Sequence, residues 1–227
     1  MKDNEVKKKY LSVDNKEIHE SFFATPFFAT EKPEWVDKLN KNSQPYLDDA
    51  HNNVEEKVKE LGTDFGHVYH SVSMQEDPKL SEFVNWVGQT GCNLLDTWGV
   101  DMSNHDVAIH SMWVQEFAKD GGGHHRIHIH ENCHISGFFF LENDNSSYPL
   151  FHDPRPGAAM TALPEKDESN LSYYNKCVNY QPKPGSIYMF PSYLPHEYVM
   201  SRGGNFKFIH WNLMALPRDI VMAEGSV

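Results

Sequence analysis

The segment 124–130 contains four histidines in seven residues, in the order His-His-Arg-Ile-His-Ile-His. Side chains at i and i+2 of a β-strand point to the same face, so His128 and His130 are expected to aim two imidazoles at one point. Neutral imidazole is the commonest nitrogen ligand of iron, zinc, copper and nickel. The spacing therefore predicts a transition-metal site, and the alternative is a pair of exposed histidines on an edge strand.

A third candidate ligand, His196, follows a tight turn, a short apolar strand and a proline-shaped corner in the segment 184–196. This arrangement returns the chain opposite the His-x-His strand in a double-stranded β-helix, whereas a simple hairpin would leave His196 on the surface. In an alternative ligand set, Asp153 supplies a carboxylate and only one of His128 and His130 binds the metal; otherwise Asp153 is a turn residue paired with Arg155. We prefer three histidines, because the i, i+2 spacing guarantees a shared face.

The elements that must position these side chains differ between the two halves of the chain. Residues 1–104 predict a helical support with an edge strand at 21–28, helices from 31 to 61 broken near Pro45, and a helix over 78–99. Residues 105–216 predict short strands separated by turn clusters, which are typical of a β-sandwich or barrel. The predicted strands are 107–117, 126–130, 134–142, 148–152, 159–163, 186–190, 196–200 and 205–214. We expect one domain over 1–227, mainly β with N-terminal helices around a jelly-roll barrel.

Composition excludes several classes of function. The formal net charge of −12 argues against a nucleic-acid-binding surface, which would be basic. No run of about eighteen apolar residues is present, so we expect no membrane span. The three cysteines, Cys92, Cys133 and Cys177, are far apart and form no CxxC motif. A reducing compartment therefore fits, and we expect a cytoplasmic protein.

The segment 113–212 resembles the Fe(II)/2-oxoglutarate-dependent oxygenase superfamily, and within it the prolyl-hydroxylase-like group of bacteria and tailed phages. The matching motifs are HIHENCHISGFFFL (128–141), FHDPRP (151–156), PKPGSIYMFPSYLPH (182–196) and FKFIHWN (206–212). The resemblance implies a double-stranded β-helix that uses Fe(II), 2-oxoglutarate and dioxygen to hydroxylate a peptidyl (prolyl-type) or small-molecule substrate. The usual superfamily pattern is His-x-Asp/Glu with a distal His, and this chain departs from it by having His130 at the carboxylate position.

In the superfamily, the distal carboxylate of 2-oxoglutarate pairs with an Arg or Lys about ten residues after the distal His. Lys207 lies eleven residues after His196 and is our first choice for this cation. Related chains place an Arg one position earlier, where this chain has Phe206, and one position flips the face of a strand. Arg126, which shares the face of His128 in a regular strand, is the fallback. If Lys207 points inward, His210 is expected to lie outside.

The remaining histidines and aromatic residues have simpler expected roles. His124, His125 and His134 are expected on the surface, and the alternative is a place behind the metal ligands or at the rim of a substrate site. Trp113, Tyr188 and Trp211 are expected in the core, and the alternative is that they line a pocket.

Two other functions fit the residues less well. A cupin-type dioxygenase or isomerase, which would not use 2-oxoglutarate, normally has a Glu a few residues after the His-x-His pair. Here Glu131 is too close and the next is Glu142. A non-catalytic barrel with a structural metal would be expected to offer four ligands, often cysteines, and no cysteine has a matching spacing.

Overall fold

The computed structural model describes residues 21–161 and 163–219. The helices are α1 (Val36–Asn52), α2 (Glu55–Leu61), α3 (Ser81–Thr97) and α4 (Pro156–Met160), with 3-10 turns at Pro33–Trp35 and Pro78–Leu80. The strands are β1 (Phe28–Glu31), β2 (Val68–His70), β3 (His105–Phe117), β4 (His125–His128), β5 (Ile135–Asn143), β6 (Pro149–His152), β7 (Cys177–Asn179), β8 (Ser186–Pro191), β9 (His196–Tyr198) and β10 (Phe206–Pro217). Within the described ranges, no helix has the length and apolar character that crossing a membrane requires.

The strands form two antiparallel sheets. The major sheet has the order β1-β8-β5-β10-β3-β2, and the minor sheet has the order β4-β9-β6-β7. One apolar cluster contains side chains from both sheets, so the two sheets face each other. This is the double-stranded β-helix with N-terminal helices that the sequence predicted.

The outer face of the major sheet packs against the helices α1 and α3. The ring of Phe83 in α3 contacts Phe139 and Trp211 edge-on, at centroid distances of 5.6 and 5.5 Å. Gly137 makes room for the indole, because a Cβ at this position would lie 2.5 Å from the Trp211 ring. The helices thus cover one face of the sheet and leave the other face for the site.

The inner face of the major sheet and the facing minor sheet enclose an apolar cluster, which we call the inner cluster. Its buried members are Phe117, Phe138, Phe140, Phe151, Tyr188, Phe190, Leu194, Tyr198, Phe206 and Phe208. Aromatic rings dominate it, and burying rings of this size is among the largest apolar contributions that a core makes.

Several local predictions require correction. The strand predicted at 159–163 is not formed, because residues 159 and 160 end a short helix, α4, which begins with Pro156 at its first position, where proline is favoured. Residue 162 of this segment lies outside the described residues. Pro45 lies inside α1 without ending it, because buried residues on both sides, including Leu39 and Leu47, hold the helix on the sheet. The predicted edge strand at 21–28 begins only at Phe28. The strands β2 and β7 were not predicted.

Candidate metal centre

Three histidines, two in strands of the minor sheet and one just after such a strand, converge at the inner side of this sheet. His128 ends β4, His130 follows two residues later, and His196 begins β9. One ring nitrogen from each residue lies within 4.8 Å of those of the other two. Asp153 is not part of this group. The predicted three-histidine set is therefore brought together in space, and its geometry suits a single metal ion.

Backbone contacts hold the rings in this arrangement. The Nδ1 atom of His128 is 2.7 Å from the carbonyl oxygen of Arg126, and the Nδ1 atom of His196 is 3.0 Å from that of Leu194. A carbonyl oxygen only accepts, so in both residues Nδ1 carries the proton and Nε2 keeps its lone pair. The backbone N–H of His130 donates to Ser192 over 3.0 Å, which ties the loop after β4 to the end of β8.

The Nε2 atoms of His130 and His196 are buried and have no hydrogen-bond partner. Buried polar atoms are normally paired, so each unpaired one calls for an explanation, such as an ion. Burial lowers the pKa of His130 to about 4 and that of His196 to about 3, and repulsion from His128 adds to both shifts. Both rings are therefore neutral near pH 7, which is the state that binds a metal. The residues present fit a metal such as Fe(II).

His125 is a fourth inward histidine, a position that was only the alternative to the surface in the sequence-based prediction. His125 pairs with Tyr198 and His128 pairs with His196. Between these two pairs the chain advances by three residues in β4 but by only two in β9. This bulge adds one residue and turns both histidines inward, while Ile127 is 55% exposed. The Nε2 atom of His125 lies 2.6 Å from the Nε2 atom of Gln115. Burial lowers the pKa of His125 to about 4. The expectation of a surface position was wrong for His125.

The same bulge changes the position of Arg126, the fallback cation for 2-oxoglutarate. Its side chain is exposed, although it lies two residues before His128. His124 and His134 are exposed, as expected.

Strand β10 presents a different face to the site from the one we expected. Phe206 and Phe208 belong to the inner cluster, so His210 also points inward and Lys207 points to the outer face. The His210 ring lies 4.6 Å from that of His130, and burial lowers its pKa well below the usual value. The expectation that His210 lies outside was therefore wrong.

Lys207 is engaged elsewhere. Its Nζ atom lies 2.6 Å from the Oε1 of Glu142, and it pairs across the ladder with Glu116 on β3. Its face and its ion pair do not suit the predicted contact with 2-oxoglutarate.

Asp153 is the turn residue that the second interpretation of the sequence described, paired with Arg155. The Arg155 guanidinium binds both carboxylate oxygens, at 2.9 and 2.8 Å, and lowers the pKa of Asp153. The carboxylate lines a groove of about 740 Å³ that none of the three clustered histidines lines.

A buried polar network lies behind His130 on the major sheet. Asn212 accepts from Ser136 over 2.7 Å and lies 3.2 Å from Ser111 and 3.4 Å from the Nδ1 of His130. The Nε2 of His210 is 3.2 Å from the Asn212 oxygen. Among the described residues, Asn212 is the one that links all of these groups. No sequence pattern marks Asn212 as a functional residue, because Asn in a buried strand can also be purely structural.

Of the three aromatic residues, Tyr188 and Trp211 lie in the two apolar clusters, as expected. Trp113 is partly exposed. Its ring stacks against His70 at 4.7 Å and lies 6.5 Å from the His130 ring, so it borders the site rather than the core.

Comparison with known proteins agrees with this geometry. Residues 111–207, which include all three clustered histidines, match the family model described as "Putative 2OG-Fe(II) oxygenase". No curated protein sequence gives a significant match.

Solved structures with a similar fold include three at TM-scores above 0.5. A prolyl-4-hydroxylase from Pseudomonas putida is 10% identical, with a TM-score of 0.51 and coverage of 84% of this chain and 93% of that one. AviO1 from Streptomyces viridochromogenes Tue57 is 11% identical, with a TM-score of 0.53 and coverage of 84% and 90%. The non-heme monooxygenase ThoJ, solved as a nickel complex, is 9% identical, with a TM-score of 0.53 and coverage of 85% and 76%. At sequence identities this low, the similarity shows a shared fold and nothing more.

The family match decides between the classes that the sequence left open, because it favours the 2-oxoglutarate class over a cupin or a structural metal site. Over residues 111–207, this chain is therefore similar to the 2OG-Fe(II) oxygenases, a family whose members use Fe(II), 2-oxoglutarate and dioxygen.

Proposed function

We propose that His128, His130 and His196 are the iron ligands of this oxygenase and that its substrate is a peptide, modified at a prolyl-type residue. The observation that carries the metal assignment is the pair of buried, unpartnered Nε2 atoms, on His130 and His196, inside a cluster of three imidazoles. When bound, Fe(II) with 2-oxoglutarate and dioxygen supplies an oxidative decarboxylation, which gives succinate and CO₂ and puts one oxygen atom into a C–H bond.

The charge of the ligand set favours an anionic cosubstrate. Three neutral imidazoles leave the full charge of a divalent ion uncompensated, whereas the usual set of two histidines and one carboxylate removes one unit. Around the three ligands, His125 and His210 are also held neutral by burial. An anion that binds the metal directly is therefore favoured electrostatically, as the 2-oxo acid group of 2-oxoglutarate would be.

Asn212 controls which nitrogen of His130 carries the proton. In the present orientation the Asn212 nitrogen faces the Nδ1 of His130, so Nδ1 accepts and the proton lies on Nε2. A half-turn of the amide exchanges its oxygen and nitrogen. The oxygen then accepts from His130 Nδ1–H, which frees the Nε2 lone pair for the metal.

The neighbours of Asn212 tolerate both orientations. The hydroxyls of Ser111 and Ser136 each donate or accept, and the Nε2 of His210 accepts from the rotated amide once its own proton is on Nδ1. We infer that Asn212 is a positioning residue that sets the metal-binding tautomer of His130.

Two observations support a peptidyl substrate. A prolyl-4-hydroxylase is among the chains with the same fold, and the partly exposed Trp113 ring lies next to the triad, 6.5 Å from the His130 ring. The exposed part of such a ring provides apolar contact area for a pyrrolidine ring.

Metal binding and turnover test the assignment. We expect purified protein to bind one Fe(II) anaerobically, to develop the visible metal-to-ligand charge-transfer band when 2-oxoglutarate is added, and to form succinate in air. His128→Ala and His196→Ala should lose the metal, while His110→Ala, which removes an exposed histidine from β3, should keep it. Unchanged metal content in both triad variants would overturn the ligand assignment. The absence of both the band and succinate in the wild type would overturn the function.

The substrate is tested with a peptide panel. Proline-containing peptides should increase succinate formation above the uncoupled level and gain 16 Da, while free proline and small metabolites should not. Turnover with small molecules alone would refute the peptidyl proposal and leave the oxygenase chemistry intact.

A further inference from the structure

Among the described residues, no Lys or Arg side chain is buried beside the three clustered histidines. Lys207 is the one buried Lys or Arg side chain among the described residues, and it lies on the outer face of β10, paired with Glu142. Arg126 is exposed. A carboxylate transferred from water into an apolar interior needs a partner, so 2-oxoglutarate must find another polar group there.

The inner cluster contains such a group. Tyr198 lies two residues after His196 on β9, so both side chains point to the inner side, and Tyr198 is 3% exposed. Its hydroxyl is buried and has no hydrogen-bond partner. A buried hydroxyl without a partner is unfavourable unless a ligand supplies one.

The surroundings of Tyr198 are aromatic. Its ring stacks on Phe208 at a centroid distance of 4.7 Å and lies 5.6 Å from Phe206 and 5.7 Å from Phe117. Phe206 occupies the position at which the family resemblance would place an arginine. The Tyr198 hydroxyl is thus a polar group close to the position where related chains have the arginine.

We propose that the Tyr198 hydroxyl donates a hydrogen bond to the distal carboxylate of 2-oxoglutarate and replaces the usual cation in this role. The inference rests on the proposed function. A hydrogen bond to a carboxylate is charge-assisted and stronger than a neutral one, although it is a single contact. Selection of a dicarboxylic 2-oxo acid over a monocarboxylic one should therefore depend on this one hydroxyl.

The experiment measures binding without turnover. Protein loaded with Ni(II), which is redox-inert here, is titrated calorimetrically with 2-oxoglutarate and with 5-methyl-2-oxohexanoate, in which an isopropyl group replaces the distal carboxylate. Tyr198→Phe should weaken 2-oxoglutarate binding about tenfold or more and leave the affinities for Ni(II) and for 5-methyl-2-oxohexanoate unchanged. Tyr188→Phe, which removes a hydroxyl from the same cluster, is the matched control and should bind like the wild type.

Thermal unfolding gives a second readout. Because the Tyr198 hydroxyl has no partner, ligand-free Tyr198→Phe should melt at or above the wild-type temperature, yet lose most of the stabilisation that 2-oxoglutarate gives. Lys207→Met and Arg126→Met should retain wild-type affinity for 2-oxoglutarate.

Two results would overturn the inference alone: wild-type affinity in Tyr198→Phe, or loss of binding in Lys207→Met or Arg126→Met. If the wild type itself binds Ni(II) but no 2-oxoglutarate, the result contradicts the proposed function rather than the role of Tyr198 alone.

Discussion

Replacing Asn212 tests whether the polar network behind His130 serves the metal. Asn212→Leu keeps the approximate volume but removes contacts at 2.7, 3.2, 3.2 and 3.4 Å. A typical hydrogen bond contributes about 0.5–1.5 kcal/mol net. Since three of these contacts are long, we expect the free energy of unfolding to fall by about 2–4 kcal/mol.

The effect on metal affinity separates a positioning role from a structural one. Loss of a residue that orients a histidine ligand typically weakens metal binding 10- to 100-fold, or by about 1.4–2.8 kcal/mol. Asn212→Asp provides the opposite case. Its carboxylate only accepts, so it fixes the proton on Nδ1 of His130 and leaves Nε2 free for the metal. We therefore expect Asn212→Asp to bind metal at least as tightly as the wild type, although its buried charge should lower the stability of the metal-free protein.

Calorimetric titration with Ni(II), combined with thermal melts of metal-free and metal-loaded protein, distinguishes these outcomes. Ser192→Ala is the matched control, because it breaks the 2.8 Å Ser136–Ser192 hydrogen bond in the same buried region and does not touch Asn212. It should cost about 1 kcal/mol of stability and leave metal affinity unchanged. Wild-type affinity in folded Asn212→Leu would refute the tautomer argument, as would Asn212→Asp binding as weakly as Asn212→Leu.

Three further predictions follow from single contacts. Asp153→Asn should retain full metal content by elemental analysis, and loss of metal would restore the carboxylate as a ligand. Gly137→Ala should lower the free energy of unfolding in chemical denaturation by about 1–3 kcal/mol, because the new Cβ meets the buried Trp211 ring at 2.5 Å. Gly88→Ala, in open space within α3, should raise this free energy by about 0.4–1 kcal/mol. Equal changes in the two variants would contradict the steric explanation. Lys207→Met leaves the carboxylate of Glu142 without its partner, so it should lower the thermal midpoint, and an unchanged midpoint would show that the pair contributes nothing.

Much of the fold could be predicted from the order of apolar runs and turn clusters. The strands β3, β5, β8, β9 and β10 lie where alternation and turn residues place them, because both signals are local. The prediction of a strand at 159–163 was wrong because the turn at Pro156 favours the start of a helix. Periodicity in such a short run does not distinguish a helix from a strand. The two short strands β2 and β7 have three residues each, too few for alternation to show.

The pair His128 and His130 and its distal partner His196 were evident in the sequence itself, because the chemistry of imidazole and the i, i+2 spacing are local properties. Which residues face that trio was decided only by the tertiary structure. Residues 206–213 of β10 are buried on both faces, so no polar alternation marks the side of Lys207 or of His210. Likewise, the extra residue of the β4 bulge, which turns His125 inward and Arg126 outward, exists only in the pairing of β4 with β9.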